Sequence, residues 1–305
     1  MSVLKSDENG MVLLLVLAIV VFLTSLVVEF SFSTFVQLRL TETFRDGTKA
    51  YYLAKGGVQA ARMLLQNDTN NFDAYTEMWG QPWENLPVAD GSVSLRIEDL
   101  DAKLDVNRLV TDMGNIDVRF KNRFLLLFEN LEITGGEELT DLLIDWLDPD
   151  SDPQPQGAEN SYYEREKGYS CGNGKLGSLD ELLKIKGFTA ELVEKIRPHL
   201  TVTGGEKINV NTAGAVVLQT LDSEMTAEAA AYIIEYRKDS PFESVTDVKK
   251  VPGLAEGTYF AIRSSLEVKS NDFRVHSLAI VNETNKRVEA VIQKDKNLLI
   301  SFKVE

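Results

Sequence analysis

From Met11 to Gln66 the chain carries one continuous apolar pattern. Met11 to Val28 (MVLLLVLAIVVFLTSLVV) holds no charged residue, and only Thr24 and Ser25 are polar. A membrane-spanning helix needs roughly 17–25 such residues. Past that run, Phe30, Phe35, Leu38, Phe44, Tyr51, Val58, Ala61 and Leu64 recur at near-helical spacing. Gln37, Arg39, Glu42, Arg45 and Lys49 interleave with them. The pattern predicts one helix from about Met11 to Gln66, roughly 80 Å long at 1.5 Å per residue. Its first half suits lipid and its second suits packing on a globular domain. Gly47, Gly56 and Gly57 are points where it could bend or weaken. A cleaved secretory signal fits poorly, because the run is long, no A-x-A-like site follows and the leader MSVLKSDENG is not strongly basic. Lys5 precedes the run while Arg39, Arg45 and Lys49 follow it, so loop charge gives no support to a cytoplasmic N-terminus.

Elsewhere the period changes. Ser92 to Glu98 alternates Val93, Leu95 and Ile97 with polar residues, as a half-buried strand does. Lys103 to Asn107 is a candidate second short strand. Phe273 to Val281, Arg287 to Gln293 and Leu298 to Val304 also read as strands, with Asn282 to Lys286 and Lys294 to Asn297 as the turns between them. Trp79 and Trp83 flank Pro82 in a predicted loop after the long helix, where packing against the sheet explains them best.

Between the strands lies an internal repeat. Leu176 to Val202 aligns without a gap to Phe242 to Val268 at an offset of 66, and Lys103 to Leu109 matches Lys207 to Ala213 at an offset of 104. The first copy therefore carries 38 extra residues. Both copies read as short helices joined by tight turns, with Gly187 and Gly253 supplying a permissive backbone.

The chain has 305 residues, 47 acidic and 32 basic, for a net charge of −15. That balance argues against a general nucleic-acid binder. Cys171 is the one cysteine, so an intrachain disulfide is impossible, and the two histidines, His199 and His276, share no motif. No hydrolase, P-loop or zinc-protease signature occurs, and the expectation is a protein that is not an enzyme. The conspicuous chemistry is an acidic loop. Asp145, Asp148, Asp150 and Asp152 fall within eight positions, among Pro149, Pro153 and Pro155, and Glu159 follows Gly157. Carboxylates so close repel unless neutralised. A solvated acidic loop and a calcium site, which prefers six to eight oxygens, are both open on these residues. Asp222 is a weaker candidate for a further site.

A short polar leader ending in Gly10, followed directly by an apolar helix, resembles a type IV prepilin or pseudopilin. The resemblance implies cutting by a prepilin peptidase between Gly10 and Met11, with N-methylation of Met11. Most members of that family carry Glu at the fifth mature position; here that position is Leu15. A subunit lacking the carboxylate is similar to the K-type minor pseudopilin of type II secretion systems (the general secretion pathway protein K family). So are the DWLDPDSDPQPQGAENSYY loop and the INVNTA segment at Ile208 to Ala213. The resemblance implies an α+β protein: a pilin-like long N-terminal helix plus a small antiparallel sheet. A large all-α domain, SAM-like or helix-hairpin-helix-like, is inserted in that sheet. The expected parts are a leader (1–10), a transmembrane part of the helix (11–30), the first part of the pilin domain (11–106), the inserted domain (107–267) and C-terminal strands (268–305). It further implies structural calcium at Asp145, Asp148, Asp150, Asp152 and Glu159. The expected setting is the inner membrane, single-pass, with the bulk of the chain in the periplasm. The expected partners are the I- and J-type minor pseudopilins at a pseudopilus tip. Two alternatives remain open on the sequence. One is a minor pilin of a type IV pilus system. The other is a membrane-anchored DNA receptor, because Ile208 to Val268 also resembles helix-hairpin-helix DNA-uptake proteins. Against DNA, Leu221-Asp222-Ser223-Glu224 replaces the expected Gly-rich hairpin, and Asn107 to Val268 carries 17 basic against 28 acidic residues, a net of −11.

Overall fold

A computed structural model describes residues 7–305. The predicted leader therefore falls largely outside the described residues, Lys5 included. In chain order the elements are α1 (Asp7–Asn67), β1 (Trp83–Val88), β2 (Gly91–Asp99), β3 (Leu104–Asp105), α2 (Val118–Asn130), α3 (Gly136–Leu147), α4 (Asn160–Glu166), α5 (Ala190–Ile196), β4 (Leu200–Thr201), β5 (Ile208–Asn209), α6 (Ala215–Gln219), α7 (Ala227–Asp239), α8 (Glu256–Ile262), β6 (Leu266–Glu267), β7 (Asp272–Val281), β8 (Thr284–Gln293) and β9 (Leu298–Val304). The chain is α+β, with a long N-terminal helix on an antiparallel sheet.

The helix α1 runs unbroken through Gly47, Gly56 and Gly57 for 61 residues, about 90 Å at the standard rise. Its C-terminal third lies on a five-stranded antiparallel sheet of order β1-β2-β7-β8-β9. Ala50, Ala54, Val58, Ala61 and Leu65 face that sheet at steps of four, four, three and four, all fully buried. They meet Val93, Leu95 and Ile97 of β2, Phe273, Val275, Ala279 and Val281 of β7, and Val288, Ala290 and Ile292 of β8. The alanines bring helix and sheet close. At Gly57 the approach is so tight that a Cβ would overlap Ser277 Oγ, so glycine there is a packing requirement rather than a hinge.

Three details differ from the sequence reading. Trp83, read as loop, opens the edge strand β1 (Trp83–Val88), for which the sequence reading had no strand. Its residues are mostly exposed, so no alternation marks it, and Pro87 is tolerated because it sits at a sheet edge. The β7–β8 turn is shorter than the five residues predicted: Val281 pairs with Thr284, leaving only Asn282 and Glu283. Asn282 takes φ of 52°, as two-residue hairpins demand. The candidate strand at Lys103 to Asn107 narrows to Leu104 and Asp105, which pair in parallel with β4 rather than joining the main sheet. Trp79 is buried beneath the sheet, edge-on to Phe273 with ring centroids 5.0 Å apart.

The sheet is interrupted between Asp99 and Asp272, and the intervening residues form a second, separate core from Leu104 to Val268. Here the repeat is visible to the residue. The 3-10 turn Leu179–Lys184, α5, the turn Arg197–His199 and β4 recur as Val245–Lys250, α8, Arg263–Ser265 and β6, each displaced by 66. Strands β3 and β5 differ by 104, and each pairs in parallel with the last strand of its own copy. Ser178 with Glu181, and Ser244 with Asp247, form matching capping boxes. Asn107 exchanges carboxamide bonds with the Leu176 backbone, and Asn211 does the same with Phe242. Gly187 and Gly253 take φ of 82° and 86°, a left-handed region that only glycine enters freely.

Candidate functional site

Two regions carry chemistry or contact surface beyond folding: the exposed length of α1 and the acidic loop. In α1, every large apolar residue from Met11 to Phe44 is exposed, Leu15 at 62% and Phe44 at 78%. The most apolar 18-residue window has a mean hydropathy of 3.2 and is wholly exposed. This single N-terminal helix is long and apolar enough for a single-pass anchor. The exposed apolar stretch spans about 50 Å, more than the ~30 Å hydrocarbon core of a bilayer. Phe30, Phe35, Leu38 and Phe44 therefore continue an apolar rod beyond the length a bilayer core would cover. Gly10 and Met11 lie within the helix, and a Cβ at Gly10 would meet nothing. Farther along, an apolar groove of about 530 Å³ runs between α1 and the sheet edge, lined by Leu53, Gly56, Ala60 and Leu64 opposite Trp83 and Leu86.

The two ends of the pilin-like part are distinct. Toward the anchor, Asp46 accepts from Asn282 and Lys49 pairs with Asp90. At the far end, Lys294 bridges Asp68 and Asp73 at 2.8 and 2.6 Å. The chain leaves the sheet at Asp99, the end of β2, and returns at Asp272, the start of β7, so the helical domain joins at this far end. A buried polar joint fixes it there. Asp99, fully buried, accepts from the Asp101 backbone, Asn209 Nδ2, Thr212 Oγ1 and Ser270 Oγ. Burial, then the Asp101 charge, pushes its carboxyl up to about 7. Asp101 in turn accepts from the backbones of Gly205 and Asn271, both at 2.6 Å. The sequence reading missed this joint and the Lys294 bridge, whose long-range partners lie 104 to 226 positions apart.

The acidic loop is built from the end of α3. That helix stops at Leu147 because Pro149 forces Asp148 into extended backbone, at φ −76° and ψ 156°. Asp145 and Asp148 thus sit at the negative end of the helix dipole with no basic residue in the last turn. The loop then folds back. A Cβ at Gly157 would overlap Asp145 Oδ2, so only glycine permits that approach. Glu159 arrives just before α4. Carboxylate oxygens of Asp148, Asp150 and Glu159 lie within 4.8 Å of one another. Asp145, Asp148 and Glu159 are 0%, 3% and 4% exposed. Asp145 Oδ2, Asp148 Oδ1 and both Glu159 oxygens are buried without a hydrogen-bond partner. Burial and the neighbouring aspartates push Glu159 up to about 7 and Asp148 up to about 6, and raise Asp145 as well. Four buried acceptor oxygens with no donor are costly unless a cation completes them. The donor set is all oxygen, which suits calcium or another hard divalent ion.

Not all the sequence candidates meet there. Asp152 is exposed and is absent from the converging group; its backbone N–H donates to Asp150 Oδ1 at 2.9 Å. Asp222 caps the Glu224 backbone and joins no carboxylate group among the described residues. A second group, Asp68, Asp73 and Glu77, was not anticipated. Its charge is met by Lys294, and Glu77 accepts from Ala74 N–H and Trp79 Nε1. Cys171 is buried and its thiol is pushed up to about 11 by burial, opposite to a reactive thiolate.

A long apolar-tipped helix on a small antiparallel sheet, with a duplicated helical domain let into that sheet, defines a pilin-fold subunit of unusual build. Two family models described as type II secretion system, protein K, match residues 102–205 and 208–269, together more than half of the chain. The chain belongs to the type II secretion protein K family. The type II secretion system protein K of Klebsiella pneumoniae is 28% identical over 299 residues, covering 93% of this chain and 91% of that protein. That of Aeromonas hydrophila is 27% identical over 316 residues, covering 95% and 94%. Among solved structures, a chain of the GspK-GspI-GspJ complex from enterotoxigenic Escherichia coli superposes with a TM-score of 0.68 at 18% identity, covering 89% of this chain and 99% of that one. The family makes this chain a minor pseudopilin of a type II secretion system.

Proposed function

We propose that the chain initiates and caps the tip of the type II secretion pseudopilus, supporting export of proteins across the outer membrane. The observation that carries this reading is axial. The apolar anchor is at one end of α1, and the helical domain is joined to the other end by the Asp99 joint. In a filament whose subunits stack through parallel helices, a domain at that end obstructs a subunit added above. Leu15 supports the same reading, since a carboxylate that would hold the next subunit's N-terminus is absent.

The inner membrane holds Met11 to about Phe30, and the rest of the chain lies in the periplasm. Prepilin peptidase cuts between Gly10 and Met11, and Met11 becomes N-methylated. The partners are I- and J-type minor pseudopilins, as in the solved complex of the structural neighbour. Their helices lie against the rod from Phe30 to Phe44 and the apolar groove beside β1, where van der Waals packing on small and apolar residues drives association. Calcium at Asp148, Asp150 and Glu159, with Asp145 behind them, is structural. It supplies the positive charge that lets the acidic loop close. The role is assembly, with no catalytic step assigned to any residue.

The test is filament length. With the other pseudopilins fixed, raising the dose of this chain should shorten pseudopili. A variant lacking the helical domain, if it still enters the filament, should lose that effect. Lengths independent of dose would refute capping.

A further inference from the structure

We propose that Asn173 is a deamidation site whose reactivity is set by the cation held at Asp148, Asp150 and Glu159. The proposal rests on the calcium reading above. Asn173 is followed by Gly174, and an Asn–Gly pair leaves the backbone nitrogen free to approach the Asn Cγ with no side chain in the way. The fold gives no reason for that glycine. Gly174 lies outside the left-handed region, and a Cβ there would meet only the Gly172 carbonyl at 3.7 Å. Asn173, by contrast, takes φ of 41°, which Asn tolerates better than most residues.

The folded loop holds the two reacting groups in separate bonds. Asn173 Nδ2 donates to the Asp150 carbonyl at 2.7 Å, and Gly174 N–H donates to the Trp146 carbonyl at 3.3 Å. Cys171 Sγ donates to the Asp145 carbonyl at 3.4 Å. All three anchors fall on residues 145–150, the stretch that carries Asp145, Asp148 and Asp150. Asn173 Oδ1 is buried with no partner, so this carboxamide is only half satisfied even when latched. A cation ties that stretch to Glu159. Without it the carboxylates repel, the stretch moves, and the anchors open together as a local unfolding unit.

In the open loop the Gly174 nitrogen attacks Asn173 Cγ. The new N–Cγ bond forms, the Cγ–Nδ2 bond breaks, and ammonia leaves with the proton from the Gly174 nitrogen. Water then adds to either carbonyl of the cyclic imide and cleaves it to aspartate or isoaspartate. One water is consumed and one ammonia released. The product has lost the donor to the Asp150 carbonyl and presents a carboxylate to it instead, and the isoaspartate form lengthens the backbone by one atom. The loop cannot latch again, so a subunit that has lost its cation is marked irreversibly.

The test uses the full chain purified from membranes in detergent, held at pH 8 with excess calcium or with EDTA. Peptide mass spectrometry reads aspartate and isoaspartate at position 173, and thermal unfolding of the same samples reads calcium binding. Deamidation is expected at least about tenfold faster in EDTA, the ratio of open-loop populations. The double variant Asp148→Asn, Asp150→Asn, which removes the cation ligands together with the repulsion, should react at one rate in both buffers, slower than wild type in EDTA. Gly174→Ala should keep the calcium shift and react slowly in both. If calcium raises the unfolding temperature while Asn173 deamidates at one rate in both buffers, the gating is overturned and the calcium reading stands. If calcium leaves unfolding unchanged, both fall. An intact Asn173 after prolonged EDTA treatment also overturns the proposal.

Discussion

Glu159→Gln should change sign with the buffer. Both Glu159 oxygens are buried and unpartnered, and the carboxyl is pushed up to about 7. A carboxyl raised in the folded state binds its proton more tightly there than in the unfolded chain. Without metal, stability is therefore fullest below the ordinary glutamate pKa and falls as pH rises through about 7. At pH 8 the ionised, unpartnered group costs about 1–3 kcal/mol. Glu159→Gln removes the charge while keeping the shape, so in EDTA at pH 8 the variant should be more stable than wild type by about 1–2 kcal/mol. Calcium reverses the order. A ligand at a hundred times its dissociation constant adds about 2.7 kcal/mol to the state that binds it, and the variant lacks one of the three converging carboxylates.

The assay is thermal unfolding of the full chain in detergent at pH 5 and pH 8, each in EDTA and in calcium. Wild type should lose stability from pH 5 to pH 8 in EDTA and lose little in calcium. The two unfolding curves of wild type and Glu159→Gln should swap order between the buffers at pH 8. The same order in both buffers, or an equal calcium gain for the two proteins, would refute the metal centre. The three acids would then be a solvated loop.

Further predictions follow from single contacts. Gly157→Ala puts a Cβ onto Asp145 Oδ2; it should cost about 1–3 kcal/mol and abolish the calcium shift, read by the same unfolding assay. Asp99→Ala removes the buried acceptor shared by Asn209, Thr212 and Ser270, at about 2–4 kcal/mol. Limited proteolysis should then cut at the joint between the two cores. Lys294→Met leaves buried Asp73 without its cation and should destabilise by about 3–5 kcal/mol in urea unfolding, whereas Asp73→Asn in the same background should recover part of that loss. Gly10→Leu should block leader removal, seen as a mass that still includes residues 1–10.

Periodicity made the long helix and strands β7 and β8 legible, because each buries one face and so repeats at 3.6 or 2; β9 buries no face and was legible only from its apolar, β-prone residues. Edge strand β1 was not legible: exposed on nearly all its length, it has no buried face to impose alternation. The joint was hidden for a different reason. Asp99, Asn209 and Ser270 are ordinary polar residues in sequence, and only the return of the chain after 171 positions brings Asp99 and Ser270 together. The acidic loop was half legible. Composition marked Asp145 to Glu159, but spacing could not separate Asp148, Asp150 and Glu159, which converge, from Asp152, which faces solvent.

The repeat explains where that loop came to lie. In both copies an Asn carboxamide closes the same bonds, Asn107 with Leu176 and Asn211 with Phe242, across 69 and 31 positions. In the second copy the shorter span is occupied by α6 and α7, and Leu218, Ala230 and Ile233 are fully buried in the core. The first copy must close the same ends around 38 more residues. Part of that excess forms helix and buries Phe124, Leu127 and Leu142. The remainder, rich in Asp, Pro and Gly, has too little apolar surface to offset the entropy of ordering it. The loop nonetheless buries Asp145, Asp148 and Glu159. A divalent ion is what such a segment needs in place of a core, because coordination draws the carboxylates together and fixes the loop in one step. On this argument the proposed calcium site would be a consequence of the insertion. The second copy, which closes over apolar helices, gathers no converging carboxylates among its described residues and should unfold independently of calcium once the first copy is disrupted.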